Sequence, residues 1–400
     1  MFVKLWILAS HFLLLLLMLI IDLPVAIFTS RHSTQDKSIC VIRLDNIGDF
    51  ILWLDAAKGM RKFYHDRTLV LFVDKALSEL ASDIGLWDEV WPIDRRQMKL
   101  NPLYRFKMLC RVRKRGFDTA IQPTFSRELL FGDALVLATG ASKRIGSVGD
   151  LSNILAWQKK ISDRWYTQLI PAKQEPLMEL LRNAEFLRGL GYNSFRAQCP
   201  QLPMHQHSRE YSLESPYYLI FPGASDSIKK WTAASYAQLT DWLFEYSGYQ
   251  GVICGAIADQ VDAEKIQRYS KAPLKNLTGC TSLSELSDVI AGARLLISND
   301  TCAVHIAAAV GTPVVCILGG GHYRRFLPYQ IEQSCDIPLP MSVIHSMSCF
   351  GCNWQCCYDV LPNQSVPCVA QITVESVIEA VKPVIDSTAI CKDSRSDVIE

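Results

Sequence analysis

Short apolar runs alternate with amphipathic stretches along most of this chain, and that alternation limits its fold more than any other feature. Residues 38–44 (SICVIRL) read as a buried strand, 45–49 as a turn and 50–64 as a helix. Residues 68–73 form the next strand, and 119–122 sit in a later one. Continuous apolar strands joined by helices imply a parallel sheet covered on both faces, an α/β architecture. Residues 201–215 are polar, contain Pro203 and are the expected linker. The alternation then restarts, with strands at 217–221, 250–254, 295–298 and 314–318 and helices at 233–246, 283–291 and 302–309. Two α/β units of similar size are therefore expected, with a cleft between them.

Composition narrows the function classes. Of 400 residues, 49% are hydrophobic and 20% charged, which excludes an intrinsically disordered chain. Lys plus Arg is 41 against Asp plus Glu 40, so a bulk nucleic-acid binder is excluded and any attraction to anions must be local. The 14 cysteines are too dilute for a small disulfide scaffold. Cys254 and Cys316 lie in apolar runs and read as reduced core residues, which favours a reducing compartment.

The N-terminus is almost wholly apolar from residue 5 to 21, and this character resumes after Asp22 and Pro24 through Phe28. A bilayer span needs roughly 20 such residues. The stretch is long and no A-x-A site follows, so residues 1–37 are expected to be a retained membrane anchor or interfacial segment with its link, not a cleaved signal peptide. Lys4 precedes the stretch, while Arg31, His32 and Lys37 follow it, so charge bias leaves its orientation open. Residues 95–117 are rich in Lys and Arg and contain no acidic residue. Leu103, Phe106, Leu109 and Val112 recur there at helical spacing. A cationic amphipathic helix can rest on an anionic membrane or hold a phosphorylated acceptor. Arg105, Arg111 and Arg113 are the candidates for acceptor or membrane contact. The plainer alternative is a solvated helix packed on the sheet.

Three segments carry the chemistry. In the first, Arg43-Leu-Asp-Asn-Ile-Gly-Asp-Phe50, a strand enters a turn, Gly48 permits close approach and Asp49 opens a helix at the C-terminal edge of the sheet, where ligands bind in such folds. In the second, Phe221-Pro-Gly-Ala-Ser-Asp-Ser-Ile-Lys-Lys-Trp231, a strand ends in a small-residue loop with two lysines, suited to a phosphate. In the third, Ile297-Ser-Asn-Asp-Thr-Cys-Ala-Val-His305, a strand stops and a helix begins, offering free N–H groups and a positive dipole end to a diphosphate. Gly311-Thr-Pro313 turns the chain into a further strand that ends in Gly319-Gly-Gly321, a loop without side chains to obstruct a ligand.

The order and spacing of these segments resemble the heptosyltransferases of glycosyltransferase family 9, over about residues 39–330. The resemblance implies a GT-B fold: two facing Rossmann-like domains with the active site in the cleft. The expected division is an acceptor domain at 38–205 and a nucleotide-sugar domain at 206–400, with residues 374–385 as a helix crossing back to the first. It implies inverting transfer that needs no metal, with Asp49 as the base. Ser225, Lys229, Asp300, Thr301 and His305 would receive the donor's diphosphate, and Asp259 would lie near its nucleoside. His305 has an alternative as a core residue that orients Asp300. Two departures stand out. The family's glycine after Asp-[Ser/Thr] is Cys302 here, costly if that position needs a positive φ and harmless if it is helical. The family's Gly-Pro-[Thr/Ser]-[Asp/Asn] loop is Gly319-Gly-Gly-His322, which leaves the donor sugar open.

Cys349, Cys352, Cys356 and Cys368 form a denser cluster, with Cys357, in residues 349–368. Thiolates at such spacing can bind a structural zinc or an iron–sulfur cluster, although this spacing fits no standard finger. The leading expectation is a glycosyltransferase of envelope glycan synthesis, such as lipopolysaccharide core. It would take a nucleotide-diphosphate sugar and a lipid-linked or lipopolysaccharide-type acceptor, at an anionic surface on the cytoplasmic face of the inner membrane. The alternatives are another donor within the family, or a non-catalytic nucleotide- or glycan-binding protein on the same fold. An oxidoreductase is disfavoured, because the first strand–helix turn lacks G-x-G-x-x-G.

Overall fold

The computed structural model describes residues 2–30, 37–203, 211, 213, 216–361 and 364–396, and side chains for 2–11, 13, 14, 17 and 388–396 lie outside that description. The expected linker at 201–215 therefore falls mostly outside it. Two compact units emerge. Unit 1 comprises Met1–Asn46, Ala56–Gln174 and Arg182–Phe195; unit 2 comprises Ile47–Asp55, Glu175–Leu181 and Arg196–Glu400. The boundary thus falls at 195/196, ahead of the expected 205/206, and two short segments of the N-terminal half pack with the C-terminal unit.

The N-terminal half runs α1 (Phe2–Phe28), β1 (Ile39–Arg43), α2 (Ile47–Phe63), β2 (Leu69–Asp74), α3 (Ser78–Ile84), β3 (Glu89–Ile93), α4 (Arg95–Leu100), α5 (Pro102–Arg115), β4 (Thr119–Gln122), α6 (Ala134–Thr139), β5 (Lys143–Ser147), α7 (Ala156–Ser162), β6 (Gln168–Ile170) and α8 (Glu179–Gly189). Its strands form one parallel sheet in the order β3-β2-β1-β4-β5-β6. β1 and β2 are buried along their length, as continuous apolar runs demand of a doubly covered sheet. Local signals set the helix ends. Asn101 accepts from the Tyr104 N–H at 3.1 Å, Pro102 opens α5, and Gly116 closes it at φ 74°.

Unit 2 repeats the plan: β7 (Tyr217–Phe221), α9 (Ala233–Ser247), β8 (Gln250–Ile253), α10 (Gln260–Tyr269), β9 (Leu274–Asn276), α11 (Leu283–Ala291), β10 (Leu296–Asn299), α12 (Cys302–Val310), β11 (Val314–Ile317), β12 (Met341–Val343), α13 (Pro367–Ala370) and α14 (Val374–Ser396). Its parallel sheet has the order β12-β11-β10-β7-β8-β9. Both sheets reverse direction beside their first strand, between β1 and β4 and between β7 and β10. Ligands bind at the carboxyl ends of strands at such switch points. The two sheets are the pair expected of a GT-B fold.

Residues 374–385, expected to cross back to the first domain, belong to unit 2: Val377, Val381 and Ile385 of α14 are buried in its core, among the side chains of α9, β11 and β12. Their spacing of four supplies one apolar stripe, and that stripe is spent on unit 2.

Candidate active site

The site in unit 2 is built where β7 and β10 lie side by side, with Ser298 opposite Phe221. The loops leaving these strands are tied by Asn299, whose side chain is fully buried. Its amide donates to the Pro222 carbonyl at 2.7 Å and the Gly223 carbonyl at 3.2 Å, and its Oδ1 accepts from the Trp231 N–H at 3.0 Å. Buried polar groups demand such pairing, so Asn299 fixes the second motif against the third.

On this frame Lys229 Nζ stands 3.0 Å from Ser225 Oγ. Burial lowers the Lys229 ammonium from its ordinary range, and Asp300 and Asp226 oppose that shift. Burial also pushes the Asp300 carboxyl up to about 6, with Lys229 opposing. Thr301 caps α12: its Oγ1 accepts from the Ala303 N–H at 3.3 Å and lies 3.0 Å from Ser298 Oγ. The sequence-derived quartet Ser225, Lys229, Asp300 and Thr301 thus gathers around one strand–helix junction. A lysine, a hydroxyl and a helix N-terminus together suit a diphosphate.

Asp49 belongs to the same assembly. It lies in the first turn of α2, whose residues 47–55 pack with unit 2. Its neighbour Gly48 abuts α12: a Cβ there would stand 3.1 Å from His305 Cδ2 and 3.7 Å from Cys302 Cα. Glycine lets the two helices approach this closely without displacing the His305 ring. The turn that carries Asp49 and the anion cradle therefore meet at the N-terminal end of α12.

The profile of glycosyltransferase family 9 (heptosyltransferase) matches residues 105–337. The chain belongs to glycosyltransferase family 9. It is 33% identical to lipooligosaccharide heptosyltransferase 2 of Haemophilus influenzae over 111 residues, covering 26% of this chain and 32% of that protein. It is 29% identical to lipopolysaccharide heptosyltransferase 3 of Escherichia coli over 183 residues, covering 43% of this chain and 51% of that protein. These matches span a third to a half of the relatives' length. Among solved structures, the Escherichia coli ADP-heptose lipopolysaccharide heptosyltransferase II shares the fold with a TM-score of 0.65 at 19% identity, over 88% of this chain and 99% of that one.

Cys302, the departure from the family 9 glycine, sits at the first helical position of α12 and is not among the residues of positive φ. The position is helical, so cysteine fits without backbone strain. His305 is buried; its Nδ1 lies 2.8 Å from the Tyr329 hydroxyl, and the two rings stack. Burial lowers its imidazole to about 4, which leaves it neutral at pH 7. His305 therefore orients the packing of α12 against Gly48 and Tyr329 and brings no positive charge to a phosphate.

Asp259 is a brace. It is buried, accepts from the Ala256 N–H at 3.0 Å and pairs with Lys230 Nζ at 3.2 Å. A Cβ at Gly223 would meet its Oδ2 at 2.3 Å, so the carboxylate is pressed beneath the β7 loop and not offered to a nucleoside. Gly319-Gly-Gly321 also differs from expectation. A Cβ on Gly319 or Gly321 would collide with Trp354, and one on Gly320 with Phe350. These glycines make room for aromatic side chains of the Cys-rich segment, where an open ligand surface was expected. Trp354 then reaches Lys229, whose Nζ lies 4.5 Å from its ring centroid. Trp354 and Tyr329 are the contributors that sequence reasoning missed, since neither sits inside a motif.

The proposed metal ligands are near one another but not assembled. Cys349, Cys352, Cys356 and Cys368 line one pocket with Trp354. Among the described residues, no three His, Cys, Asp or Glu side chains are grouped so as to hold a metal ion. Cys368 Sγ instead accepts from the Gly320 N–H at 3.4 Å and so steadies the glycine loop. No disulfide joins the described cysteines.

Unit 1 carries a second polar cleft at its own switch point, lined by Asp45, Gln122, Thr124, Ser126 and Glu128. Asp45 pairs with Arg43 at 2.8 Å and accepts from Thr124 Oγ1 at 3.1 Å. Arg95 donates to both Glu128 oxygens, at 2.8 and 2.9 Å. Burial nonetheless raises the Glu128 carboxyl above its ordinary range, with Arg95 as the main opposing influence. Of the three arginines expected at an acceptor or membrane, Arg105 and Arg113 are used otherwise and Arg111 stays exposed. Arg105 is buried and bound to Asp22 of α1, with Nε–Oδ1 at 2.7 Å and Nη2–Oδ2 at 2.5 Å. Arg113 donates to the Ala26 and Thr29 carbonyls, at 2.9 and 3.2 Å. Arg111 lies over Trp91, 4.2 Å from its ring centroid.

Proposed function

We propose that this family 9 protein transfers heptose, or a related sugar, from a nucleotide-diphosphate sugar to a lipopolysaccharide-core or similar envelope glycan. The observation that carries this reading is the convergence of Asp49 and the Ser225–Lys229–Asp300–Thr301 cradle on α12. Asp49 takes the proton of the acceptor hydroxyl. The acceptor oxygen then bonds the anomeric carbon from the face opposite the diphosphate, with inversion, and the bond to the diphosphate oxygen breaks. The electron pair departs with the diphosphate. Lys229, Ser225 and the N–H groups of α12 receive its growing charge, so the reaction as proposed needs no metal. Preorganised donors of this kind are the largest catalytic contribution in many enzymes. The heptosyltransferase relatives and the ADP-heptose enzyme of the same fold make ADP-heptose the first donor to test. The use of cytosolic nucleotide sugars supports a reaction on the cytoplasmic face of the inner membrane.

The reading is tested by ADP release from ADP-heptose with core-truncated lipopolysaccharide as acceptor. Asp49→Asn is expected to bind ADP as the wild type does and to lose about 10²–10⁴-fold in kcat, the usual worth of a general base. ADP binding by the wild type without turnover on any truncated core would favour the non-catalytic alternative. Cys302 is helical and puts no backbone strain on the cradle, which supports the catalytic reading.

A further inference from the structure

The helix α1 is apolar around its circumference, yet among its described side chains one side is buried and the other exposed. Leu15, Met18, Asp22 and Val25 recur at spacings of three and four and are buried against unit 1. The opposite side bears Phe12, Leu16, Ile20, Leu23 and Ile27, at spacings of four and three. These are exposed, Phe12 and Ile20 by 58% and Ile27 by 68%. The apolar strip does not end with the helix. Trp157 of α7 is exposed and its ring centroid lies 6.4 Å from that of Phe12; Leu155 and Ile161 are exposed beside it in sequence. On α5, Phe106 lies on the same helical flank as Cys110 and Arg113, which touch the C-terminal end of α1, and it too is exposed.

Cationic side chains rim this surface. Lys107 and Lys114 lie one step further around α5, and Arg96 and Lys99 are exposed on α4. Lys160 and Arg164 flank Ile161. Large contiguous apolar patches on a folded protein mark an interaction surface. An apolar face bearing a tryptophan and bordered by lysines and arginines matches the boundary between acyl chains and anionic headgroups. A second copy of the chain is a poorer occupant, because pairing two such faces brings like-charged rims together.

The attachment of α1 decides how it meets a bilayer. The Asp22–Arg105 ion pair and the Arg113 bonds to the Ala26 and Thr29 carbonyls fasten the helix side-on to α5. To cross a membrane it would have to peel away and leave Arg105 buried without its partner. We propose that the outer face of α1, with Trp157 and Phe106, is an in-plane docking surface for an anionic lipid bilayer. This surface lies wholly within unit 1 and stands independently of the sugar transfer.

The test is co-sedimentation of the full chain with phosphatidylcholine vesicles, with and without phosphatidylglycerol. Binding is expected to the phosphatidylglycerol vesicles and to weaken with salt. The double variant Ile20→Glu/Ile27→Glu is expected to keep the wild-type Tm and to bind at least about tenfold more weakly, since two apolar side chains leave the lipid. Lys99→Gln/Lys107→Gln is expected to lose only the preference for phosphatidylglycerol. A fluorophore placed at position 12, 20 or 27 is expected to be quenched equally by lipid spin labels of one shallow depth. A graded depth would mean a span, because 15 helical residues cover about 22 Å, and would overturn in-plane docking. Failure of the wild type to bind vesicles, or an Ile20-dependent dimer in their absence, would overturn the lipid assignment.

Discussion

Asp300 and His305 are five positions apart, and burial favours the neutral form of both, raising the carboxyl and lowering the imidazole. The Asp300 carboxyl is raised to about 6, so the folded protein holds a proton there that the unfolded chain has released. That contribution to stability is present below the ordinary carboxylate range and is lost as pH rises from about 4 to about 6. His305 is lowered to about 4, so its contribution is present above the ordinary histidine range and is lost as pH falls towards 4. Asp300→Asn should therefore raise the Tm relative to wild type at pH 7 and shrink that advantage towards pH 4, as followed by differential scanning fluorimetry. An advantage that grew towards low pH would contradict the burial argument. Lys229→Ala should lose about 10²–10³-fold in kcat/KM for the nucleotide sugar in the coupled ADP-release assay, the usual cost of one charge-stabilising donor. Trp354→Leu should raise the KM for the donor more than it lowers kcat, since the indole holds Lys229 but is not part of the cradle.

The elements that carry chemistry were legible in the sequence because each motif joins an apolar strand to a helix start. Asp300 and Thr301 had to lie at a carboxyl edge once residues 295–298 read as a buried strand. Gly48 was read as a position of close approach, and the structure supplies the neighbour, the His305 ring. Gly48→Ala should accordingly cost about 1–3 kcal/mol of stability, measured by urea unfolding, together with a loss of transfer activity. What stayed hidden depends on contacts distant in sequence. The Asp22–Arg105 pair joins residues 83 apart, so Arg105, read as a contact for anions, proved to be the clasp of α1. Gly319-Gly-Gly321 read as open space for a ligand, whereas Trp354 and Phe350, from a segment with no motif, occupy it. Breaking the clasp with Asp22→Ala leaves Arg105 buried and unpaired, a cost of about 3–5 kcal/mol. Limited proteolysis should then release α1, which the wild type protects.

Over the whole molecule, two parallel sheets of the same strand order place their switch points at β1/β4 and β7/β10. A polar cleft lines the first, and an anion cradle lines the second. Family 9 membership and the meeting of the Gly48–Asp49 turn with α12 support the proposed sugar transfer to an envelope glycan. The most direct measurement is mass spectrometry of that glycan from cells lacking the native protein and carrying either wild type or Asp49→Ala. The account predicts that the Asp49→Ala glycan is shorter by one sugar, with the mass of that sugar naming the donor. An identical glycan from the two strains, with the variant folded and present at wild-type levels, would contradict it.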